Sequence, residues 1–251
     1  MYVDSEGIVL KHTKTVNNRN MVLIFSKKYG KISAGTSISQ KGKNKSSLAM
    51  KPFTLGRYNM YKKGDYFNIT GAETIKSFYR IGEDIDKYMN ASYVLEFTEK
   101  VLPENIPQPS LFNLLCDFLK EMENRKKKYG TLVIAYELKA IKEMGYMPDL
   151  DRCVSCGSEK ELIFFDVKNG GVTCKNCGTK IISHHNDSLI YEIGLGIIDI
   201  LKYFIRNPLS NIQNLALDGK SLKILRKMIN DYSRYHLDMG EIKSQGFLSD
   251  E

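Results

Sequence analysis

The sequence predicts an α+β protein: an N-terminal OB-fold β-barrel, then a mostly helical domain with an inserted four-cysteine zinc hairpin. Three observations lead there. Up to about residue 80 the chain is made of short runs rich in β-branched and aromatic residues. From about Ile81 apolar residues recur three and four apart, the spacing of amphipathic helices. Between two of the helical stretches stand two Cys-x-x-Cys pairs. The domain boundaries expected are 1–80 for the barrel and 81–251 for the helical part, with the insertion at 150–182. A chain of 251 residues is long enough for two cores of that size.

Five strands are expected in the first part: "GIVLKH", "NMVLIFS", "GKISAGTSI", "FTLGRYNMY" and "DYFNITGAETI". The turn-like pieces "VNNRN", "KKYG" and "KKGD" separate some of them. Five short strands without a helical period suit a small closed barrel. "SQKGKNKSS" reads as a basic, mobile loop.

Helices are expected over 83–102, 110–122, 131–146, 188–205 and 220–237. Pro103, Pro107 and Pro109 separate the first two, with Ser110 as N-cap. Gly145, with Pro148 beyond it, marks a helix stop. The cysteine segment therefore lies between a helix ending near Met147 and one starting near Ser188. Its interior, "LIFFDVKNGGVT", reads as two strands joined at Asn169-Gly170.

Cys153 and Cys156 are followed, after seventeen residues, by Cys174 and Cys177. Two residues between cysteines let both sulfurs reach one ion, and two such knuckles close the tetrahedron that Zn²⁺ prefers. One structural zinc is expected: four thiolates leave no position for a reacting water. His184 and His185 follow and are read as exposed or capping residues, not ligands. Cys116, alone among apolar residues in "SLFNLLCDFL", reads as a small buried hydrophobe. Paired cysteines of this kind fit a reducing compartment. "MYVDSEGIVLKH" lacks the pattern of a signal peptide, and no apolar run approaches a membrane span. The expected location is the cytoplasm.

Charge points to a partner. Residues 1–80 hold 15 Lys and Arg against 4 Asp and Glu, a net of +11. Residues 81–251 hold 22 against 25, a net of −3. A segment this basic is the footprint of a polyanion binder. The candidate nucleic-acid contacts are Arg19, Lys27, Lys28, Lys31, Lys41, Lys43, Lys45, Arg57, Lys62 and Lys63. Interleaved are Phe25, Tyr29, Tyr58, Tyr61, Tyr66 and Phe67, a mixture of core and candidate stacking residues. "KGKNKS" is not a phosphate loop, because Ser37 and Asn44 stand where Gly and Ser or Thr are required. No triad, His-Glu-x-x-His or paired-carboxylate pattern appears, so no catalytic residue is expected.

These parts resemble the RecO family of bacterial recombination mediators. "EGIVLKHTKT", "FSKKYGKISA" and "PFTLG" are similar to its barrel strands, and "ASYVLEFTEKVLPE" with "LFNLLCDFL" to its first helices. "YELKAIKEMGYMPDLDRCVSCG" with "GGVTCKNC" is the most specific match, and "EIKSQGFL" resembles the family's C-terminal ending. "AGTSISQKGKNKSS" departs from the family's basic stretch after the third strand. The resemblance implies a non-enzymatic protein that binds single- and double-stranded DNA and anneals complementary strands. It implies RecR as partner, loading of RecA onto coated strands, and a helical dock for the acidic tail of the single-stranded DNA-binding protein. Arg125, Lys126, Lys127 and Lys128 are the candidate flank of that dock. The competing expectations are an RNA-binding factor of translation or transcription, and a zinc or thiol enzyme.

Overall fold

The computed structural model describes residues 1–14, 20–39, 42, 44–184 and 189–248. It divides into two compact units, Met1–Asn124 and Arg125–Glu251.

The first unit is built on a closed barrel of β1 (Tyr2–Lys14), β2 (Asn20–Ser26), β3 (Gly30–Thr36), β4 (Thr54–Lys63) and β5 (Tyr66–Ser77). Their order is β1-β2-β3-β5-β4, with β3 and β5 parallel and all other neighbours antiparallel. Alternation along each strand sends Val22, Ile24, Ile32, Ala34, Met60 and Ile69 inward, where they form one core. The expected loop at 39–47 is partly helical. Asn44 accepts the Ser47 amide at 2.8 Å and caps α1 (Lys45–Ala49). This short helix delivers Ala49 and Met50 to the barrel core.

Two longer helices complete the unit. Asp84 caps α2 (Ile85–Val101), its carboxylate accepting from the amides of Asp86 and Lys87. The next helix, α3 (Pro109–Asn124), begins one residue before Ser110, so proline takes the first helical position and Ser110 lies inside the first turn. Phe25, on the outer side of β2, meets the Phe112 ring edge to face at 5.3 Å.

The second unit is centred on α4 (Tyr129–Glu143), which is buried nearly all round rather than on one face. It ends as expected at Gly145 (φ +86°), with the amides of Gly145 and Tyr146 donating to Lys142 and Ile141. A three-stranded sheet, order β7-β6-β8, contains β6 (Leu162–Asp166), β7 (Gly171–Cys174) and β8 (Ile190–Glu192). Between β7 and β8 runs α5 (Lys175–His184). The expected helix at 188–205 is thus divided. Its front half pairs with β6 as β8, Gly194 turns the chain at φ +71°, and α6 (Leu195–Arg206) follows. The last helix, α7 (Gly219–His236), is capped by Asp218. No helix among the described residues is long and apolar enough to cross a membrane.

Tyr58 lies in the barrel core and donates its hydroxyl to Ala49 O at 2.6 Å, tying α1 to β4. Tyr58→Phe leaves that carbonyl without its partner and is expected to cost about 1–2 kcal/mol in urea unfolding. Burial also raises the Tyr58 pKa above its ordinary 10.0. Stability is then whole below about pH 10 and falls as pH climbs toward the raised value, because only the unfolded chain sheds the proton. The variant should show a shallower alkaline loss.

Candidate metal centre and nucleic-acid interface

The four paired cysteines converge. Cys153, Cys156, Cys174 and Cys177 bring their sulfurs within 4.8 Å of one another. Cys156 Sγ and Cys174 Sγ are 3.8 Å apart, far longer than a disulfide. A tetrahedral ion with metal–sulfur bonds of about 2.3 Å requires roughly this separation between ligand atoms. The residues therefore fit a metal ion, and four thiols fill the coordination shell of a tetrahedral one.

Local structure explains the convergence. The first pair lies in a tight turn in which the Gly157 amide donates to Cys153 O and the Cys153 amide to Ser158 O. That turn is laced to β7: the amides of Val172 and Val154 donate to Asp149 O and Val172 O. Asp149 also accepts the amides of Asp151 and Arg152, and Asp151 pairs with Lys202 at 2.9 Å. The second pair is not a matching turn. Cys174 ends β7 and Cys177 lies in the first turn of α5. A side chain at Gly178 would come within 2.3 Å of the Phe164 ring, so glycine lets α5 lie against β6.

The thiols differ in acidity. Burial pushes Cys153 up, but hydrogen bonds from the backbone at Cys174, Ser155 and Cys156 outweigh it and bring it down to about 6. Burial and the neighbouring cysteines push Cys177 up to about 12. Cys116, expected to be buried, is only half-buried, and the desolvation it does undergo raises its pKa to about 12. His184 closes α5, and His185 lies outside the described residues.

The barrel cations separate into three groups. Lys27, Lys28 and Arg57 share one face with Glu6 and Asp4, at 3.5, 3.0 and 3.9 Å in their ion pairs. Their charge is thereby partly offset. Lys31 is engaged inside its own unit: its ammonium donates to Glu99 O at 2.9 Å and pairs with Glu104 at 3.1 Å. Only 12 % of its side chain is exposed, so it fastens the α2–α3 connection to β3. Lys45 and Lys63 are exposed and form no ion pair among the described residues. Lys62 lies 5.3 Å from both the Tyr29 and Phe67 ring centres. Arg19, Lys41 and Lys43 lie outside the described residues.

The interleaved aromatics separate too. Phe25, Tyr58 and Phe67 are buried, whereas Tyr61 and Tyr66 are exposed. Sequence pattern does not single out Tyr2, which stands directly opposite Tyr61 across the β1–β4 pair. Only strand register reveals that neighbour.

Arg125 is not a free flank for a docked tail. It is buried, and its guanidinium donates to the carbonyls of Lys127, Lys128, Ile212 and Leu215. It ties the turn before α4 to the segment before α7.

A five-stranded barrel with a helix between its third and fourth strands, and a helical unit bearing four cysteines that could hold a metal ion, define an OB-type barrel protein with a candidate metal site. The chain belongs to the RecO family. The family's N-terminal profile, "Recombination protein O N terminal", matches residues 1–78, and its C-terminal counterpart matches residues 82–246. The chain is 30% identical to a DNA repair protein RecO from a Thermoanaerobacter species, covering 98% of this chain and 96% of the relative. It is 30% identical to that of Alkaliphilus metalliredigens over 95% of both chains. The Halalkalibacterium halodurans protein of the same name is 27% identical over 98% of both.

Gly178→Ala should force α5 off β6. The expected cost is about 1–3 kcal/mol in urea unfolding, together with faster metal loss to a chelator. Wild-type stability in this variant would contradict the packing described.

Proposed function

We propose that this protein is a non-enzymatic mediator of DNA recombination and repair that binds single- and double-stranded DNA and anneals complementary strands. Family membership supplies the process. The observation that carries the mechanism is the exposed cations of the barrel, set against a cysteine cluster with no open ligand position. Cations that neutralise phosphates on two strands lower their mutual repulsion, so annealing needs neither a catalytic residue nor ATP. Exposed Lys45 and Lys63 are the strongest described candidates, followed by half-buried Lys62 and by Lys27, Lys28 and Arg57 beside their acids. Arg19, Lys41 and Lys43 remain candidates on charge alone.

The same reading assigns RecR as partner in loading RecA onto strands coated by the single-stranded DNA-binding protein, at the nucleoid. For that protein's acidic tail we favour the surface around a small depression lined by Ile193, Ile197, Ser221, Ile224 and Leu225. Lys220, Lys223 and Lys227 are exposed along the first turns of α7, at helical spacing that sets them on one stripe. Apolar floor and basic border suit a peptide that is acidic with an apolar end.

The ion we assign to the cysteines is Zn²⁺, held by Cys153, Cys156, Cys174 and Cys177. Bound, it would cross-link the 153–158 turn, β7 and α5, and its role is structural.

The decisive experiment is annealing of complementary strands coated with the cognate single-stranded DNA-binding protein, without ATP. Acceleration is expected, together with affinity that falls steeply between low and moderate salt. No acceleration would remove the proposal. Cys174→Ser should lower zinc content and melting temperature first, with DNA affinity following only through unfolding. Zinc retention should also weaken as pH falls, because protons compete for the thiolates.

A further inference from the structure

We propose that Tyr2, Tyr61 and Tyr66 form a stacking platform for the unpaired bases of a single DNA strand. The inference rests on the DNA-binding reading above and names the side chains that would separate single from double strands.

A tyrosine ring is large and mostly apolar, and a small barrel has a core in which to place it. Among the described residues of the barrel, the highly exposed aromatic rings are Tyr2, Tyr61 and Tyr66, at 78%, 41% and 82%. They are not scattered. Tyr2 pairs with Tyr61 across β1 and β4, and Tyr61 pairs with Asn68 across β4 and β5. Tyr66 lies two residues before Asn68, on the same face, and opposite Lys63. Diagonal neighbours of this kind stand about 7–8 Å apart, within reach of aromatic side chains.

Geometry leaves the rings available. Tyr2 and Tyr61 meet edge to face, with centroids 5.4 Å apart and planes at 68°. A T-shaped pair leaves at least one face of each ring open. The remaining barrel aromatics are elsewhere engaged: Tyr29 packs on Phe67, and Lys62 lies over both. Strand alternation turns Lys62 to the face opposite Tyr61, so Lys63, directly opposite Tyr66, is the lysine on the platform's own face.

Charge complementarity selects the occupant. Exposed Lys63 stands beside the rings, and Asp4 further along the face is paired with Lys28. Rings bordered by cations suit a strand whose bases stack while its phosphates meet lysines. A duplex hides its base faces within its own stack and offers the rings nothing. The platform therefore favours the unpaired state, and a strand held by its bases must release them to pair with a complement.

The chain contains no tryptophan, so Tyr66→Trp introduces a single reporter at an exposed position. Oligothymidylate should quench its emission with the same midpoint that fluorescence anisotropy of labelled DNA gives for binding, whereas duplex should bind without quenching. Tyr61→Leu combined with Tyr66→Leu should weaken oligothymidylate binding about 10-fold or more. Duplex affinity should stay within about twofold, and Tyr66→Phe should bind as wild type. Circular dichroism establishes that the double variant is folded. If wild type binds single strands while the reporter is silent and the double variant is unimpaired, the platform is wrong and the DNA-binding reading survives. If wild type binds neither form of DNA, both fall.

Discussion

Closure of the barrel depends on a short seam. Three residue pairs, Ala34 with Phe67, Gly35 with Asn68 and Thr36 with Ile69, join β3 to β5 in parallel and turn an open sheet into a barrel. An open sheet would leave unpaired strand edges, which attract other chains. Once closed, the barrel has an inside too small for anything but side chains, and each strand must commit alternate residues to it. Tyr58 and Phe67 go in; Tyr61 and Tyr66 come out. The charged side chains of the strands have no other place than the outer surface. The electropositive character of the first third of the sequence becomes a surface property because the seam exists.

The cysteine cluster solves a different problem. Its sheet has only three short strands, and its first knuckle is a turn without regular structure. Such a segment buries little apolar area by itself, and small structures of this size need a staple. Backbone hydrogen bonds between Asp149, Val154 and Val172 align the turn with β7, and Gly178 lets α5 close on Phe164. The peptide geometry thus brings four sulfurs together, and an ion would lock what is already arranged. Because all four candidate ligands come from the chain, an ion held there would supply folding energy rather than reactivity.

Much of this was legible in the sequence, for physical reasons. Richness in β-branched and aromatic residues between turn-like pieces is a local property, so the five strands could be read directly. Cys-x-x-Cys spacing is likewise local, and Gly145 announces a left-handed stop that only the next few residues decide. Long-range pairing was not legible. Ile190–Glu192 lies in a stretch whose apolar residues also suit a helix, and it becomes a strand because β6 has a free edge to offer. Lys45 lies in a polar run that looks like loop, until Asn44 caps it and Ala49 finds the barrel core. The exposed face of Tyr2 depends on the β1–β4 register, which no single stretch encodes.

The role of a cation is not local to the sequence, because composition counts charges and structure decides their partners. Lys31 and Arg125 illustrate this from opposite directions. Lys31 sits in a segment dense with lysine, yet its ammonium faces Glu104 and the carbonyl of Glu99, 68 residues away along the chain. Arg125 opens the run Arg125-Lys126-Lys127-Lys128, yet its guanidinium is buried among four backbone carbonyls. Each has exchanged water for fixed partners, and moving either toward a phosphate would leave those partners unsatisfied. A lysine such as Lys63 gives up only hydration when a phosphate arrives. The distinction predicts which charges respond to a polyanion, and it follows from burial and partners rather than from the sign of the charge.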